Sequence, residues 1–283
     1  MPIADTTIRA MTRSELDLAV QWAADEGWNP GLHDADAFFA ADPEGFLIER
    51  LGDEPVAVIS AVRYGERFGF IGFYIVKPGF RGQGMGLKIW QAAMARLAGR
   101  NIGLDGVVDQ QPNYRKSGFR LAWNNARFQG VGGGAALADP DVHGLGDGDL
   151  AAVLVYDRPF FPDDRSAFLR AWLAMPGAVS LGIWQGGKLA GYGVLRPCRT
   201  GYKIGPLFAD TPALAARLFA VLQAGAAQGA PLFLDVPMNN PDAVALAQQH
   251  EMQVVFETAR MYTLETPAMP QERLFGVTSF ELG

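Results

Sequence analysis

The chain has 283 residues, 49% hydrophobic and 19% charged, which is typical of a globular protein with one large domain or two of ordinary size. The net charge of −6, without any basic run, argues against a nucleic-acid partner. No apolar run approaches the roughly 18 residues of a membrane span, and the charged N-terminal stretch does not resemble a signal peptide, so no membrane partner is expected. With Cys198 as its single cysteine and no metal-ligand spacing among its histidines, the sequence predicts a cytoplasmic protein without disulfide or metal.

The first half of the chain predicts helices and strands in a regular order. A helix is expected over residues 12–24, where Thr12 and Glu15 have the spacing of a capping box. The hydrophobic pattern then predicts strands over 45–49, 55–64 and 69–76, a helix over 84–97, a strand over 102–107, a short helix over 112–117 and closing strands over 121–129.

The second half repeats this order. Three dipeptide landmarks of the first half recur in the second at similar spacings: Ile71-Gly72 with Ile204-Gly205, Leu104-Asp105 with Leu234-Asp235, and Arg127-Phe128 with Arg260-Met261. A glycine-rich stretch over residues 129–149 separates the halves and has the composition of a linker. We therefore predict one αβ unit used twice, as domains of residues 1–135 and 145–283.

The segment over residues 74–87 carries the clearest indication of function. An apolar strand ends at Val76, and three alternating glycines then open an amphipathic helix: Gly82, Gly84 and Gly86. Such a turn leaves backbone N–H groups free to bind a phosphate or pyrophosphate. Met85 excludes a Walker loop, which needs lysine there, and the G-x-G-x-G spacing is not a dinucleotide fingerprint. From the glycines alone, a tight turn without any ligand stays an equal alternative.

Two ordered motifs resemble those of a known superfamily. Residues 81–86 (RGQGMG) are similar to the acetyl-coenzyme A loop, R/Q-x-x-G-x-G/A, of the GNAT N-acetyltransferases. Residues 114–119 (YRKSGF) are similar to the Tyr-x-Lys-x-Gly-Phe turn near the end of that domain. The match covers about residues 5–130. Three further segments resemble the YitH-like group, whose second domain is degenerate: DEGWNPG at 25–31, LDGV at 104–107 and the SFELG that ends the sequence.

The resemblance implies an α/β fold of the α+β type, with two tandem GNAT-like domains, each a mixed, mostly antiparallel twisted sheet flanked by helices. It implies acetyl-coenzyme A as co-substrate and a small-molecule amine as acceptor. The backbone of residues 74–76 would bind the pantetheine arm and polarise the thioester, and the amides of residues 82–87 would hold the pyrophosphate. Tyr114 would stand near the coenzyme sulfur, where a phenol can protonate the departing thiolate. The implied cofactor-binding residues are Tyr74, Ile75, Val76, Arg81, Gly82, Gln83, Gly84, Met85, Gly86 and Leu87.

The resemblance does not identify the group that takes a proton from the amine. A primary amine with an ordinary pKa of about 10.4 must lose a proton before it attacks a carbonyl carbon. Glu26, before the expected substrate loop, and Asp105, on the expected fifth strand, are the preferred candidates. Other side chains stay open as the base or as lining of the acceptor pocket: Asp25, Glu66 and Asp109, and the aromatic Trp28, Phe73 and Trp123.

The second half departs from the motif. Residues 209–212 (ADTP) form a capped helix start where the first half has its glycines, so this domain is not expected to bind coenzyme A in the same way. It is expected to cover or complete the substrate site, or to stabilise the first domain. Arg165 and Arg260 could bind an anionic group of the substrate, although ion pairs are the default for such residues.

Two functions follow from this reading. The preferred one is an N-acetyltransferase that acts by direct attack in a ternary complex, and the intact Tyr114 motif favours it. The alternative is an acyl-coenzyme A sensor or pseudoenzyme whose second domain binds a partner. The sequence does not identify the amine, the acyl chain length or the oligomeric state.

Overall fold

The computed structural model describes residues 6–134 and 139–283. The helices are α1 (Arg13–Asp25), α2 (Asp34–Ala41), α3 (Met85–Arg96), α4 (Gln111–Lys116), α5 (Leu150–Asp157), α6 (Ser166–Leu173), α7 (Pro212–Gly225) and α8 (Pro241–Gln249). The strands are β1 (Thr7–Ala10), β2 (Phe46–Leu51), β3 (Glu54–Tyr64), β4 (Phe68–Val76), β5 (Asn101–Val107), β6 (Arg120–Val131), β7 (Val142–Gly144), β8 (Val179–Gln185), β9 (Lys188–Pro197), β10 (Tyr202–Ala209), β11 (Pro231–Pro237), β12 (Gln253–Tyr262) and β13 (Leu274–Gly276). None of these helices combines the length and apolar character that crossing a bilayer requires.

The predicted elements of the first half are confirmed to within a few residues. Helix α1 begins after Thr12, whose side chain accepts a hydrogen bond from the Glu15 amide while the Glu15 carboxylate accepts one from the Thr12 amide. The prediction missed β1 and α2. Helix α2, with the sequence DADAFFAA, is too short and too irregular in its polar positions to show a helical period.

The strands form one continuous sheet, in the order β1-β2-β3-β4-β5-β12-β6-β11-β10-β9-β8-β7, with β13 paired to β10. Most neighbours are antiparallel, and the equivalent pairs β4–β5 and β10–β11 are parallel. This arrangement confirms the mixed, mostly antiparallel sheets flanked by helices. The two halves also exchange their closing strands, because β12 of the second half lies between β5 and β6, and β6 of the first half lies between β12 and β11.

The glycine-rich stretch is only partly a linker, which corrects the prediction. Strand β6 extends to Val131, and β7 pairs with β8 inside that stretch. Residues 135–138 lie outside the described part of the chain. The domain limits 135 and 145 therefore stay a prediction, although the hydrogen-bonded sheet runs across both halves.

The C-terminal segment crosses between the halves. Every residue from Leu274 to Gly283 is buried. The Val277 amide donates to the Asp235 carbonyl at 2.8 Å, and the Tyr64 hydroxyl of the first half donates to the Leu282 carbonyl at 3.3 Å. The segment therefore packs against both halves and brings its side chains to the centre of the molecule.

Candidate active site

Strands β4 and β5 separate at the centre of the sheet. They are paired from Phe68 with Asn101 to Ile71 with Leu104, and no further. Beyond Ile71, β4 carries a bulge in which Phe73 and Tyr74 stand opposite one residue of β3, and Phe73 adopts a φ of +47°. A bulge turns its strand, and a non-glycine residue in the left-handed region is a local strain often found at functional sites. The result is a V-shaped opening whose β4 edge has backbone groups free of strand pairing.

The glycine loop lies at the mouth of this opening. Gly82 and Gly84 have φ values of +75° and +89°, which L side chains rarely adopt. Helix α3 begins directly after Gly84, and its first backbone bond runs from the Lys88 amide to the Gly84 carbonyl. The N–H groups of residues 85–87 therefore precede the first helical bond and, with the positive end of the helix dipole, can hold an anionic group.

Gly86 serves a different purpose from the other two glycines. A Cβ built on it would lie 2.7 Å from the Tyr74 hydroxyl and 3.2 Å from a Val76 methyl. The missing side chain therefore lets α3 approach β4 closely, and the helix N-terminus is held against the free edge of that strand. Arg81 reinforces the turn, because its Nε donates to the Val76 carbonyl at 2.9 Å.

Tyr114 stands on the other side of the opening, in α4. Its ring packs against Gly106 of β5, where a Cβ would lie 2.1 Å from a ring carbon, and against Trp90, with 5.6 Å between the ring centroids and an interplanar angle of 31°. The side chain is 8% exposed and lines the central cavity. Burial, with a smaller effect of Tyr74, raises the pKa of Tyr114 to about 12. The phenol therefore carries its proton at any physiological pH.

One cavity of about 640 Å³ connects these elements. Its walls on one face of the sheet come from the α3 side, with Leu87, Trp90 and Tyr114. On the other face lie Trp28, beside the α1 core, and Phe280 of the C-terminal segment. The opening between β4 and β5 thus joins a glycine-rich, helix-capped side to an apolar, aromatic side. Such a site suits two substrates that meet from opposite faces.

The cofactor-binding residues implied by the motif are brought together, though not all line the cavity. Eight of the ten do so: Tyr74, Ile75, Val76, Arg81, Gly82, Gly84, Gly86 and Leu87. Gln83 faces the loop, because its Nε2 donates to the Gly79 carbonyl at 2.9 Å. Met85 is buried at the start of α3. A pyrophosphate would meet these two through their backbone amides rather than their side chains.

The two preferred bases are both engaged in ion pairs. Glu26 lines the cavity and is paired with Arg81 of the glycine loop. Asp105 also borders the cavity, but Arg260 binds its two oxygens at 2.7 and 2.6 Å and Asn125 adds a bond of 2.8 Å. A carboxylate with its lone pairs so occupied is poorly disposed to accept a further proton. The geometry therefore favours neither as the base, and both stay untested.

The remaining candidates are divided. Trp28 and Phe73 line the cavity, whereas Trp123 packs against Tyr262 at 6.0 Å and does not line it. Asp25, Glu66 and Asp109 also lie outside the cavity lining. Arg165 and Arg260 form the ion pairs that were the default expectation for them, since Arg165 pairs with Asp157 and Arg260 with Asp105 inside the protein.

The sequence reading missed two buried polar residues of the cavity. Glu281, in the C-terminal segment, is 4% exposed, and Thr258 of β12 is 2% exposed. Within the described chain, neither the Glu281 Oε2 nor the Thr258 Oγ1 has a hydrogen-bond partner. A glutamate inside the apolar run that ends the sequence is the signal that could have indicated a buried carboxylate. Both residues belong to the second half of the chain.

Comparisons with known proteins agree with this geometry. The Acetyltransferase (GNAT) family model matches residues 12–119, and a separate Acetyltransferase (GNAT) domain model matches residues 153–276. A holothin acyltransferase from Pseudoalteromonas sp. (strain SANK 73390) is 31% identical over 277 residues, which cover 98% of this chain and 94% of that protein. The chain belongs to the GNAT acetyltransferase superfamily. It is an acyltransferase built from two GNAT domains.

Solved structures share the fold of this GNAT protein. A candidate acetyltransferase from Pyrococcus horikoshii superposes with a TM-score of 0.83 at 22% identity, covering 98% of this chain and 96% of the other. A tandem GNAT protein from the clavulanic acid biosynthesis pathway superposes with a TM-score of 0.61 at 15% identity, covering 94% and 99%. At these identities the likeness concerns the fold, which in both cases extends over nearly the whole chain.

The second GNAT domain has no glycine cradle. Thr211 caps α7 through a bond from the Leu214 amide at 3.3 Å, and proline occupies the first turn. Helix α7, the counterpart of α3 in the second domain, therefore has an N-terminus that is capped by a side chain. The N-terminus of α3 has no side-chain cap, so its first amides are free. This difference leaves one glycine cradle in the described chain, at the start of α3.

Proposed function

We propose that this GNAT protein transfers the acetyl group of acetyl-coenzyme A to a primary amine of a small molecule, by direct attack in a complex that holds both substrates. The opening between β4 and β5 carries the proposal, because it leads from the glycine cradle past Tyr114 to an aromatic pocket. Membership in the YitH-like group is part of the same proposal.

The residues present fit coenzyme A. The amides of residues 85–87 and the left-handed glycines Gly82 and Gly84 suit a pyrophosphate, and the free edge of β4 suits an amide-containing arm. A side chain at Gly86 would collide with Tyr74, so glycine at this position keeps the start of α3 close to the free edge of β4. Coenzyme A supplies an activated acetyl thioester, and the β4 backbone N–H groups would polarise its carbonyl.

Tyr114 is the proposed proton donor. Its hydroxyl borders the cavity, and the raised pKa keeps it protonated until the thiolate leaves. Trp90 and Gly106 both pack against the ring, so that the donor is positioned in advance.

The acceptor is proposed to be an amine on a flat apolar group. Trp28, Phe73, Phe256 and Phe280 contribute aromatic lining to the cavity. A relative with 31% identity bears the name holothin acyltransferase, so holothin belongs in any panel of acceptors. That name also favours an enzyme over a sensor without turnover.

Thiol release from acetyl-coenzyme A tests the proposal, with a panel of holothin, benzylamine, spermidine, lysine and kanamycin. Turnover with a panel amine, lowered about 100-fold in Tyr114→Phe with coenzyme binding intact, supports it. Tyr202→Phe, in the second half and outside the cavity lining, is the matched control. Coenzyme binding without thiol release on any amine would instead support the alternative function, an acyl-coenzyme A sensor.

A further inference from the structure

The C-terminal segment brings a carboxylate to the apex of the opening between β4 and β5. A Cβ built on Gly72, one residue beyond the last β4–β5 pair, would lie 2.2 Å from the Glu281 carbonyl oxygen. Glycine at this position thus lets the backbone of Glu281 rest directly on β4. The Glu281 side chain then lines the same cavity as Tyr114 and Thr258.

Glu281 differs from the other cavity carboxylates in having no ion-pair partner within 4 Å among the described residues, whereas Glu26 and Asp105 are paired. Its Oε2 is buried and has no hydrogen-bond donor in the described chain. A buried polar atom without a partner is rare in folded proteins and calls for an explanation such as a ligand. The Thr258 hydroxyl, also buried and without a partner, lines the same cavity.

Three charged groups surround Glu281 at longer range: Asp105 from β5, Arg127 from β6 and Arg196 from β9. Asp105 is paired with Arg260 and Arg127 with Asp235, while Arg196 bonds Asp34 through Nε only and its two terminal nitrogens have no hydrogen-bond partner in the described chain. None of the three forms an ion pair with Glu281, so its carboxylate has no charged partner within 4 Å among the described residues.

A second cavity of about 340 Å³ shares Arg127 and Phe256 with the first. Its other walls come from the 24–29 region and from the second half, including Arg199, Thr200 and Val255. The two cavities are therefore neighbours at the junction of the two halves, with Arg127 and Phe256 between them.

We propose, on the basis of the acetyltransferase function above, that Glu281 binds the protonated amine of an aromatic acceptor and takes its proton, with Thr258 as the second polar contact. The amine nitrogen transfers one proton to the Glu281 carboxylate, its freed lone pair forms the C–N bond and the C–S bond breaks. The Tyr114 proton passes to the departing sulfur, and the second nitrogen proton returns to Tyr114. The proton on Glu281 then leaves to solvent, so the net products are the amide, the free thiol and one proton. The second domain thus supplies a catalytic residue to the first.

The test compares wild type with Glu281→Gln, using benzylamine as the acceptor across a pH series below the pKa of that amine. Without the base, the variant depends on amine that is already neutral in solution, and this fraction rises tenfold per pH unit. We expect kcat/KM of the variant to be at least 100-fold below wild type near neutral pH, and the gap to close as pH rises. Acetyl-coenzyme A binding, measured separately by calorimetry, is expected to be unchanged.

Glu49→Gln is the matched control. Glu49 is also fully buried with an Oε2 that lacks a partner, but it lies on β2 and does not line the cavity. A ratio of variant to wild-type kcat/KM that stays constant with pH would reduce Glu281 to a structural residue. Turnover by wild type with spermidine but not with benzylamine would contradict the aromatic acceptor. If the wild-type protein neither binds acetyl-coenzyme A nor acetylates any amine, the underlying acetyltransferase proposal is overturned instead.

Discussion

Asp105 of β5 and Arg260 of β12 form a buried ion pair with two hydrogen bonds between the two halves of the chain. The sequence repeat places a second, equivalent pair elsewhere in the sheet. The equivalent residues, Asp235 and Arg127, form the same pair with the halves reversed, at 2.6 and 2.8 Å. Each repeat therefore supplies an aspartate whose arginine comes from the other repeat. All four side chains are at most 5% exposed. The exchange of closing strands and the crossing of the ion pairs describe the same arrangement.

Loss of one partner of this pair should destabilise the whole chain. Arg260→Ala leaves the Asp105 charge buried and unpaired, and we expect the free energy of unfolding to fall by about 3–5 kcal/mol. Because the sheet crosses both halves, urea unfolding followed by two probes should show one transition. The double variant Asp105→Leu/Arg260→Met should recover most of the loss. Arg13→Ala, in a solvent-exposed pair with Asp17, should cost less than about 1 kcal/mol. Two separate transitions in wild type would show that the halves unfold independently.

The position of Tyr114 depends on Gly106. In Gly106→Ala the added methyl group would collide with the tyrosine ring, so the ring must move. We expect kcat to fall by about 10- to 100-fold, because a shift of about 1 Å can cost this much, while coenzyme binding is largely kept. Gly144→Ala, where no atom lies within 4 Å of the new Cβ, is the control. Equal kcat in both variants would show that the ring position has no part in the reaction.

The raised pKa of Tyr114 predicts the behaviour of the enzyme at alkaline pH. Burial disfavours the tyrosinate, so the proton donor is lost only as pH rises through about 12 rather than about 10. Between pH 8 and pH 10, the rate of thiol release should therefore not fall from loss of this proton. The difference in tyrosinate absorbance between wild type and Tyr114→Phe gives the titration directly. A tyrosinate signal from this residue that is complete by pH 10 would refute the assignment.

Glu26 is expected to act on the glycine loop rather than on the amine. Glu26→Gln weakens the contact with Arg81, so the KM for acetyl-coenzyme A should change by a few fold. The dependence of kcat on pH should keep its wild-type shape, since the carboxylate is not the base in this account. Parallel measurements on Glu26→Gln and Glu281→Gln separate the two candidates. If the fall of kcat at acidic pH disappears in Glu26→Gln and persists in Glu281→Gln, then Glu26 rather than Glu281 is the base.

Much of the fold followed from the sequence, because hydrophobic periods and capping residues such as Thr12 act locally. The repeat was also visible, through the Asp105 and Arg127 landmarks and their counterparts. The exchange of β6 and β12 could not be predicted. The two strands have the same hydrophobic pattern, and either one can form hydrogen bonds with the same strand edge. The glycine cradle is a local feature and was predicted as a unit. Glu281 was missed because it lies 176 positions after Asp105, and only the packing of the C-terminal segment on Gly72 brings it to the site.

The most direct test of the account is acetyl-coenzyme A binding and turnover by Gly84→Glu compared with Gly99→Glu. The two glycines lie near opposite ends of α3 and have similar left-handed φ values, +89° at Gly84 and +81° at Gly99. Backbone strain and added charge are therefore matched, and only Gly84 belongs to the cradle. We expect Gly84→Glu to lose both coenzyme binding and thiol release, and Gly99→Glu to keep both. Equal coenzyme binding by the two variants would contradict the assignment of the loop.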